Sequence, residues 1–230
     1  MENYSYVKEN FIELTEEIRL LAEKRGSEVT LVAVTKSGSD EELVALMKAG
    51  ALDMGENRPQ ELVRRGALLA EQGFTPRLHE IGNLQRNKVK SIIDKVCLIH
   101  SLDSYELAAE IDKQAERVGR KVPVLIEVNS AGESAKGGIA PDECEEFFLK
   151  VSAFQNLEIS GIMTMGPVVE DQEEMRPYFR LTKKIFDNIN QKYGFKNRGI
   201  LSMGMSDSYR VAIEEGATLV RVGRKIFNKR

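Results

Sequence analysis

Strand-like and helical patterns alternate along almost the whole sequence, and this alternation restricts the fold more than any other feature. Apolar or alternating segments typical of strands occur eight times, with helical segments between them. The strands are predicted at residues 30–35, 52–56, 78–82, 97–101, 122–129, 158–164, 199–203 and 218–222. Neighbouring parallel strands need a crossover connection, which a helix provides. The sequence therefore predicts an α/β protein with an eight-stranded parallel sheet.

The helical segments indicate how the sheet closes. The first crossover helix starts with a capping-box sequence at residues 39–42, and an amphipathic helix over residues 3–25 precedes the first strand. Further helices are predicted near residues 58–72, 86–95, 103–119, 141–154, 171–193 and 207–215. Eight strands favour a (β/α)8 TIM barrel in which the N-terminal helix takes the place of the eighth outer helix. The alternative is an open doubly wound sheet with two strands wrongly assigned.

Composition limits the classes of partner. Lys and Arg number 33 against 36 Asp and Glu, so the net charge of −3 does not favour nucleic acid or an anionic membrane surface. Cys97 and Cys144 show neither a disulfide framework nor metal-ligand spacing, and we expect reduced thiols. No signal peptide is apparent, and no apolar run approaches the roughly 20 residues of a membrane span. We expect one cytoplasmic domain over residues 1–230.

Lys36 ends the apolar run of the first strand and is followed at once by a turn through Ser37, Gly38 and Ser39. A lysine at the mouth of a barrel can form a Schiff base with an aldehyde, because its amine is a nucleophile. The alternative is a lysine that only marks the point where a strand meets solvent. Position alone does not separate these two interpretations.

Two loops near the end of the chain carry donors suited to a phosphate group. TIM barrels often hold phosphate after strands seven and eight. Ser206 follows the seventh strand, beside Gly204, and Gly223 follows the eighth between two arginines, Arg221 and Arg224. Hydroxyl, amide and guanidinium donors can bind an anion. Taken singly, Ser206 could only cap a helix and Gly223 could only turn the chain.

Other strand ends give weaker signals. Asn57 follows the second strand and could contact an aromatic ligand, or could cap the helix that starts at Arg58-Pro59. His79 and His100 are interpreted as core or wall residues, because neither has a second ligand at metal-binding spacing. Lys136 lies in a glycine-rich segment that we expect to form a mobile rim loop.

Many short motifs together resemble the pyridoxal phosphate homeostasis proteins, which are similar to the N-terminal barrel of alanine racemase standing alone. The matching segments are VAVTK, GEN with PQE, IGNLQRNKVK, HSLDS, NSAGESAKGG, GIMTMGP, LSMGMSDS and EEGATLVRVGRKIF. They extend from residue 31 to residue 227. Motifs in this number and order are far more specific than a single glycine pattern.

The resemblance implies a cofactor and a role for each site residue. Lys36 would carry pyridoxal 5'-phosphate (PLP) as an internal aldimine. Ser206, Gly223 and Arg224 look like the phosphate cup, Asn57 and Met205 look like contacts beside the ring, and Arg221 matches the arginine that faces the pyridine nitrogen. A permanently charged arginine there disfavours a protonated ring nitrogen and so weakens carbanion stabilisation.

The chain departs from the family pattern at three positions. Glu80 stands where an aromatic residue is common, Asn83 replaces a more usual residue, and Arg224 replaces a hydroxyl residue. Arg224 either adds charge to the phosphate site or points outward and leaves only its backbone amide. None of these changes affects Schiff-base chemistry at Lys36.

The resemblance implies a non-enzymatic protein of PLP homeostasis that holds the cofactor and delivers it to apo-enzymes. The alternative is a PLP-dependent amino-acid racemase of low activity. Racemisation needs acid-base groups on both faces of the substrate, and related racemases supply one as a tyrosine from a second domain. Of six tyrosines in this chain, only Tyr209 is predicted near the mouth.

A cofactor-free Schiff-base aldolase fits less well, because no acid or base is evident beside Lys36. Without the racemase's second domain, we expect a monomer. We also expect Lys136 to take part in cofactor release.

Overall fold

Eight parallel strands form the centre of the computed structural model, which describes residues 4–133, 137–195 and 199–229. The strands are β1 (Thr30–Val34), β2 (Asp53–Glu56), β3 (Arg77–Glu80), β4 (Val96–Leu102), β5 (Val122–Glu127), β6 (Leu157–Met163), β7 (Ile200–Ser202) and β8 (Leu219–Val222). Each pairs with its neighbour in sequence, and β1 also pairs with β8. This closed order confirms the predicted TIM barrel and excludes the open doubly wound sheet.

The helices follow the strands in the predicted alternation. They are α1 (Ser5–Lys24), α2 (Asp40–Lys48), α3 (Pro59–Glu71), α4 (Val89–Ile92), α5 (Tyr105–Arg117), α6 (Cys144–Val151), α7 (Arg176–Tyr193), α8 (Tyr209–Glu214) and α9 (Arg224–Phe227). Several predicted helical segments differ from the structure. The segment near 86–95 is a 3-10 turn followed by the single turn of α4, and a 3-10 turn also precedes α7, which begins five residues later than predicted. Helices α6 and α8 begin three and two residues later than predicted.

The strands are buried on both faces, which explains their almost continuous apolar sequences. A large apolar core fills the space between the sheet and the helices, and a smaller one lies inside the barrel. The inner group contains Val32, Leu98, Leu125, Met163 and Leu219. Because side chains alternate along a strand, residues two positions further along also face the interior, closer to the mouth.

Helix α1 completes the outer layer of helices. Its buried face consists of Val7, Phe11, Leu14 and Ile18, and the helix packs against α2, α8 and α9. The side-chain amide of Asn10 donates hydrogen bonds of 3.1 Å to the carbonyl oxygens of Ile226 and Asn228. The N-terminal helix therefore stands where the eighth helix of the ring is expected.

Two further predictions concern the chain as a whole. Cys97 and Cys144 are free thiols, as predicted. None of the helices within the described ranges combines the length and the apolar character that a bilayer crossing requires.

Candidate functional site

The carboxyl ends of all eight strands meet at one rim because the strands are parallel. β1 lies between β2 and β8 in the barrel, and β7 follows β8. The structure therefore brings the ends of four strands that carry predicted site residues to one side of the mouth.

Lys36 lies in the turn that follows β1, two residues past the end of the strand. Strand alternation places it on the same side as Val32, whose side chain is in the inner core. Thr35 is fully buried, whereas the Lys36 side chain is exposed at the rim. The turn closes with a hydrogen bond of 2.9 Å from the Gly38 amide to the Thr35 carbonyl oxygen.

Arg65 on α3 holds this turn from outside the barrel. Its guanidinium donates to the carbonyl oxygen of Thr35 and, over 2.8 Å, to that of Gly38. It also forms an ion pair of 2.6 Å with Glu56, which ends β2, and both side chains are buried. The Thr35 hydroxyl donates to the same Glu56 carboxylate. The carbonyls of Thr35 and Gly38, one before and one after Lys36 in the turn, are thus held by one buried cation.

Sequence reasoning missed Arg65 and Glu56. One signal was available, because a glutamate that ends a strand buried on both faces needs a buried cation as partner. The other fixed point of the turn is packing: a Cβ added at Gly38 would lie 2.7 Å from the Phe227 ring. The turn that presents Lys36 is therefore held on two sides.

The loops after β7 and β8 meet at Ser206 and Gly223. Ser206 is buried, and its hydroxyl oxygen accepts a hydrogen bond of 3.3 Å from the Gly223 amide. A Cβ at Gly223 would lie 2.6 Å from the carbonyl oxygen of Val34, so only glycine fits there without a shift. Ser208, not Ser206, is the N-cap residue of α8, so the interpretation of Ser206 as a helix cap is wrong.

Arg224 and Met205 lie at the outer edge of these loops. The Arg224 guanidinium is exposed and pairs with the carboxylate of Asp207. Of the two orientations considered for Arg224, the structure has the outward one. Met205 is 37% exposed, and its amide donates a 3.2 Å hydrogen bond to the Ser208 hydroxyl.

Asn57 follows β2, and its side chain is exposed. Helix α3 begins at Pro59 with Arg58 as the N-cap residue and without a side-chain cap. The interpretation of Asn57 as a helix cap is therefore wrong. A Cβ at Gly82 would lie 2.3 Å from the Asn57 carbonyl oxygen, so the loop after β3 packs closely against this residue.

Arg221 lies in β8 and is almost completely buried. Its guanidinium donates 2.5 Å to the Ser202 hydroxyl oxygen and 2.9 Å to the Thr164 carbonyl oxygen. Burial lowers the pKa of Arg221 to about 10, and the nearby charge of Glu127 acts in the opposite direction. The side chain is therefore a cation at neutral pH.

An acidic side chain lies at the end of β5, the strand opposite β1 in the closed order. Glu127 ends β5 and lines a cavity of about 160 Å³ with Ile81, Gly82, Ser130, Met165 and Gly166. Burial raises the pKa of Glu127 to about 7, the charge of Asp103 raises it further, and Arg221 lowers it. This carboxyl group therefore titrates near neutral pH.

The remaining candidates do not add a metal site. His79 and His100 are buried and hydrogen-bonded to each other, which agrees with their interpretation as wall residues. Within residues 4–133, 137–195 and 199–229, no group of three His, Cys, Asp or Glu side chains could hold a metal ion. Lys136 lies outside the described residues.

Comparison with known proteins gives a consistent family. The family model described as alanine racemase, N-terminal domain, matches residues 11–229. A pyridoxal phosphate homeostasis protein from Aquifex aeolicus is 44% identical over 176 residues, which is 76% of each chain. One from Helicobacter pylori is 37% identical over 210 residues, covering 90% of this chain and 91% of the relative.

A solved structure agrees with these relatives. PipY from Synechococcus elongatus, in the structure with PLP bound, matches with a TM-score of 0.85 and 28% identity, over 96% of this chain and 100% of PipY. The chain thus covers 91% of the Helicobacter relative and all of PipY. It belongs to the pyridoxal phosphate homeostasis protein family, within the alanine racemase N-terminal domain group.

Proposed function

We propose that this protein binds PLP covalently through Lys36 and serves PLP homeostasis. The observation that carries the proposal is that the turn with the exposed Lys36 follows β1, while the Ser206–Gly223 contact lies at the end of the paired strand β8, where Gly223 packs against Val34. The names of the relatives and the PLP bound to PipY support the same function.

The residues present fit the cofactor. The absence of a Cβ at Gly223 lets its backbone approach Val34 closely, and the Ser206 hydroxyl with the Gly223 amide is a donor set suited to a phosphate. Arg224 would contribute only its backbone amide, because its guanidinium is paired with Asp207. Asn57 and Met205 would lie beside the ring, and Arg221 would face the ring nitrogen.

PLP supplies an aldehyde that condenses with a primary amine, and a ring that withdraws electrons. The protein's own residues would orient the cofactor and restrain the turn that carries Lys36. Arg65 holds the turn of Lys36, so the amine is presented from a fixed backbone. Arg221 remains charged and would therefore donate to the ring nitrogen without protonating it. These contributions bind a cofactor without making its ring a strong electron sink.

The proposed role is a carrier more than a catalyst. Racemisation needs a second acid-base group opposite Lys36. Tyr209, the tyrosine predicted near the mouth, is buried, and the Glu17 carboxylate of α1 lies near its hydroxyl. Burial and Glu17 both raise the pKa of Tyr209. Its phenol therefore faces the helix layer instead of the mouth, which favours the carrier.

We further propose that the protein works as a cytoplasmic monomer and delivers PLP to apo-enzymes. Delivery follows from a covalent link that another amine can reverse.

The covalent bond between PLP and Lys36 is tested by adding PLP to the purified protein and recording the visible spectrum. The sample is then reduced with borohydride and analysed by mass spectrometry. We expect a visible band and an adduct on the peptide that contains Lys36. Lys36→Ala abolishes both, whereas Lys48→Ala, an exposed lysine on α2, leaves both unchanged. A main adduct on another lysine, or no uptake of PLP, would contradict the proposal.

Carrier and racemase are separated by incubating the loaded protein with L-alanine and following D-alanine. The carrier predicts no D-isomer beyond that formed by Lys36→Ala protein with the same free PLP. Turnover clearly above this background would overturn the non-enzymatic role.

A further inference from the structure

A chain of buried polar side chains crosses the barrel interior and ends at Arg221. Arg221 donates 2.5 Å to the Ser202 oxygen, and Ser202 lies 3.0 Å from His100 Nδ1. His100 Nε2 lies 3.0 Å from His79 Nδ1, and His79 Nε2 lies 2.9 Å from an Asp53 carboxylate oxygen. The chain thus joins β8, β7, β4, β3 and β2, and the proposed function uses only its last member.

The two ends determine the direction of every hydrogen bond between them. A guanidinium can only donate, so Ser202 must accept from Arg221. At the other end, burial alone would raise the pKa of Asp53, but hydrogen bonds from His79 and Arg77 outweigh it and hold this pKa below its ordinary value. Asp53 is therefore a carboxylate that can only accept.

One arrangement satisfies all the members between these ends. The Ser202 hydroxyl donates to His100 Nδ1, the His100 Nε2–H donates to His79 Nδ1, and the His79 Nε2–H donates to Asp53. This arrangement needs a neutral His100. Burial holds the pKa of His100 well below its ordinary value, and the proximity of His79 and Arg221 lowers it further.

Such a chain is unusual in the interior of a barrel, which is normally filled by apolar layers. A partly satisfied buried network costs stability, whereas a fully satisfied one fixes a single arrangement. Here aliphatic side chains instead of His100 and Ser202 would leave one donor of the buried Arg221 without an acceptor. The polar side chains in the barrel interior therefore supply an acceptor that the buried Arg221 guanidinium needs.

We propose that Asp53, His79 and His100 are positioning residues that act through Ser202 to hold the Arg221 guanidinium in one orientation. Asp53 is three hydrogen bonds away from Ser202, yet it sets the polarity of the whole chain. The hydrogen-bond direction is independent of any ligand. Its consequence for the cofactor rests on the function proposed above, in which Arg221 faces the ring nitrogen.

The direction of the hydrogen bonds from Ser202 through the two histidines to Asp53 is tested by NMR on the protein without added cofactor. The sequence contains two histidines, so ¹⁵N spectra of the imidazoles can be assigned from single variants. We expect each ring to carry a proton on Nε2 and none on Nδ1. An Nδ1–H on His100, or a doubly protonated His79, would overturn the proposed direction.

Positioning is tested with Asp53→Asn, whose amide can donate as well as accept. We expect the single tautomer of His79 to be lost and the Arg221 Nη protons, slow to rotate in the wild type, to average. The matched control is Arg77→Gln, which removes the exposed partner of Asp53 and keeps the carboxylate. We expect it to leave both signals unchanged. Unchanged Arg221 signals in Asp53→Asn would reduce the chain to a structural role and end the proposal.

The consequence for the cofactor is tested by measuring PLP binding to Asp53→Asn, Arg77→Gln and Ser202→Ala. We expect PLP affinity to fall about three- to tenfold in Asp53→Asn and Ser202→Ala, as for one lost hydrogen bond, with a displaced visible band. Arg77→Gln should change affinity less than about twofold. Wild-type affinity and band in Asp53→Asn would refute the consequence for the cofactor. No PLP binding by the wild type would refute the proposed function. The NMR experiment would still test the direction of the hydrogen bonds between Ser202 and Asp53.

Discussion

Glu80 is a buried residue whose environment opposes its charge. It pairs in register with Glu56 on the neighbouring strand, and one of its carboxylate oxygens has no partner within the described residues. Burial raises the pKa of Glu80 to about 8, the Gly82 amide lowers it, and the charge of Glu56 raises it. At neutral pH the folded protein therefore keeps this carboxyl group mostly protonated.

This has a consequence for stability against pH. The unfolded chain releases the Glu80 proton near pH 4.3, whereas the folded protein keeps it until about pH 8, so the stabilisation is present at low pH and is lost as pH rises across this range. We expect Glu80→Gln to remove part of this decline, on the order of 2 kcal/mol in the free energy of unfolding at pH 8. Urea unfolding between pH 5 and 8 measures it. Glu71→Gln, an exposed carboxyl on α3, serves as control, and an equal effect in both variants would contradict the assignment.

At the scale of elements, α3 connects the outer layer of helices to the turn that presents Lys36. Two adjacent arginines on this helix have different surroundings. Arg65 is buried against Glu56 and the carbonyls of the turn, whereas Arg64 is 45% exposed and pairs with Asp40 and Glu61 at the surface. Their contributions to stability should differ accordingly.

We expect Arg65→Met to cost about 3–5 kcal/mol in the free energy of unfolding, because it leaves Glu56 buried without its cation. Arg64→Met should cost less than about 1 kcal/mol, since exposed ion pairs contribute little. Chemical denaturation measures both. Arg65→Lys keeps the charge but not the forked contact with two carbonyls, so it should fall between them. Similar losses for Arg64→Met and Arg65→Met would show that the turn does not depend on this buried cation.

How much of this could be predicted from the sequence depends on whether a feature is local. The alternation of strands and helices predicts the barrel, and each strand end identifies candidates such as Lys36 and Gly223. The cap interpretations of Asn57 and Ser206 are wrong because each helix begins further along the chain, at Pro59 and Tyr209.

Partners far apart in sequence could not be predicted in this way. His100 meets Ser202 across 102 positions, and Arg65 meets Gly38 across 27. Such contacts exist only after the elements have packed together, so no local pattern encodes them. His79 and His100 were rightly placed in the wall, but their connection to Arg221 depends on closure.

At the scale of the whole molecule, α1 connects the start of the sequence to α9 and Asn228. The Asn10 side chain is buried and donates to two backbone carbonyls, those of Ile226 and Asn228. We expect Asn10→Ala to lower the free energy of unfolding by about 1–3 kcal/mol, because two carbonyls lose their donor. Denaturation should remain a single transition, since the barrel is predicted to be one domain. Glu9→Ala, exposed on the same helix, is the control. A separate early transition in Asn10→Ala would argue against one cooperative unit.

The position of α1 also bears on biosynthesis. Helix α1 is synthesised before the barrel strands, yet its contacts with Ile226 and Asn228 span 216 and 218 positions. The β1–β8 pairing likewise waits for β8. The part of α1 that packs against α8 and α9 must therefore remain uncovered until those helices have been made, so nascent chains of this protein should be clients for chaperones until then.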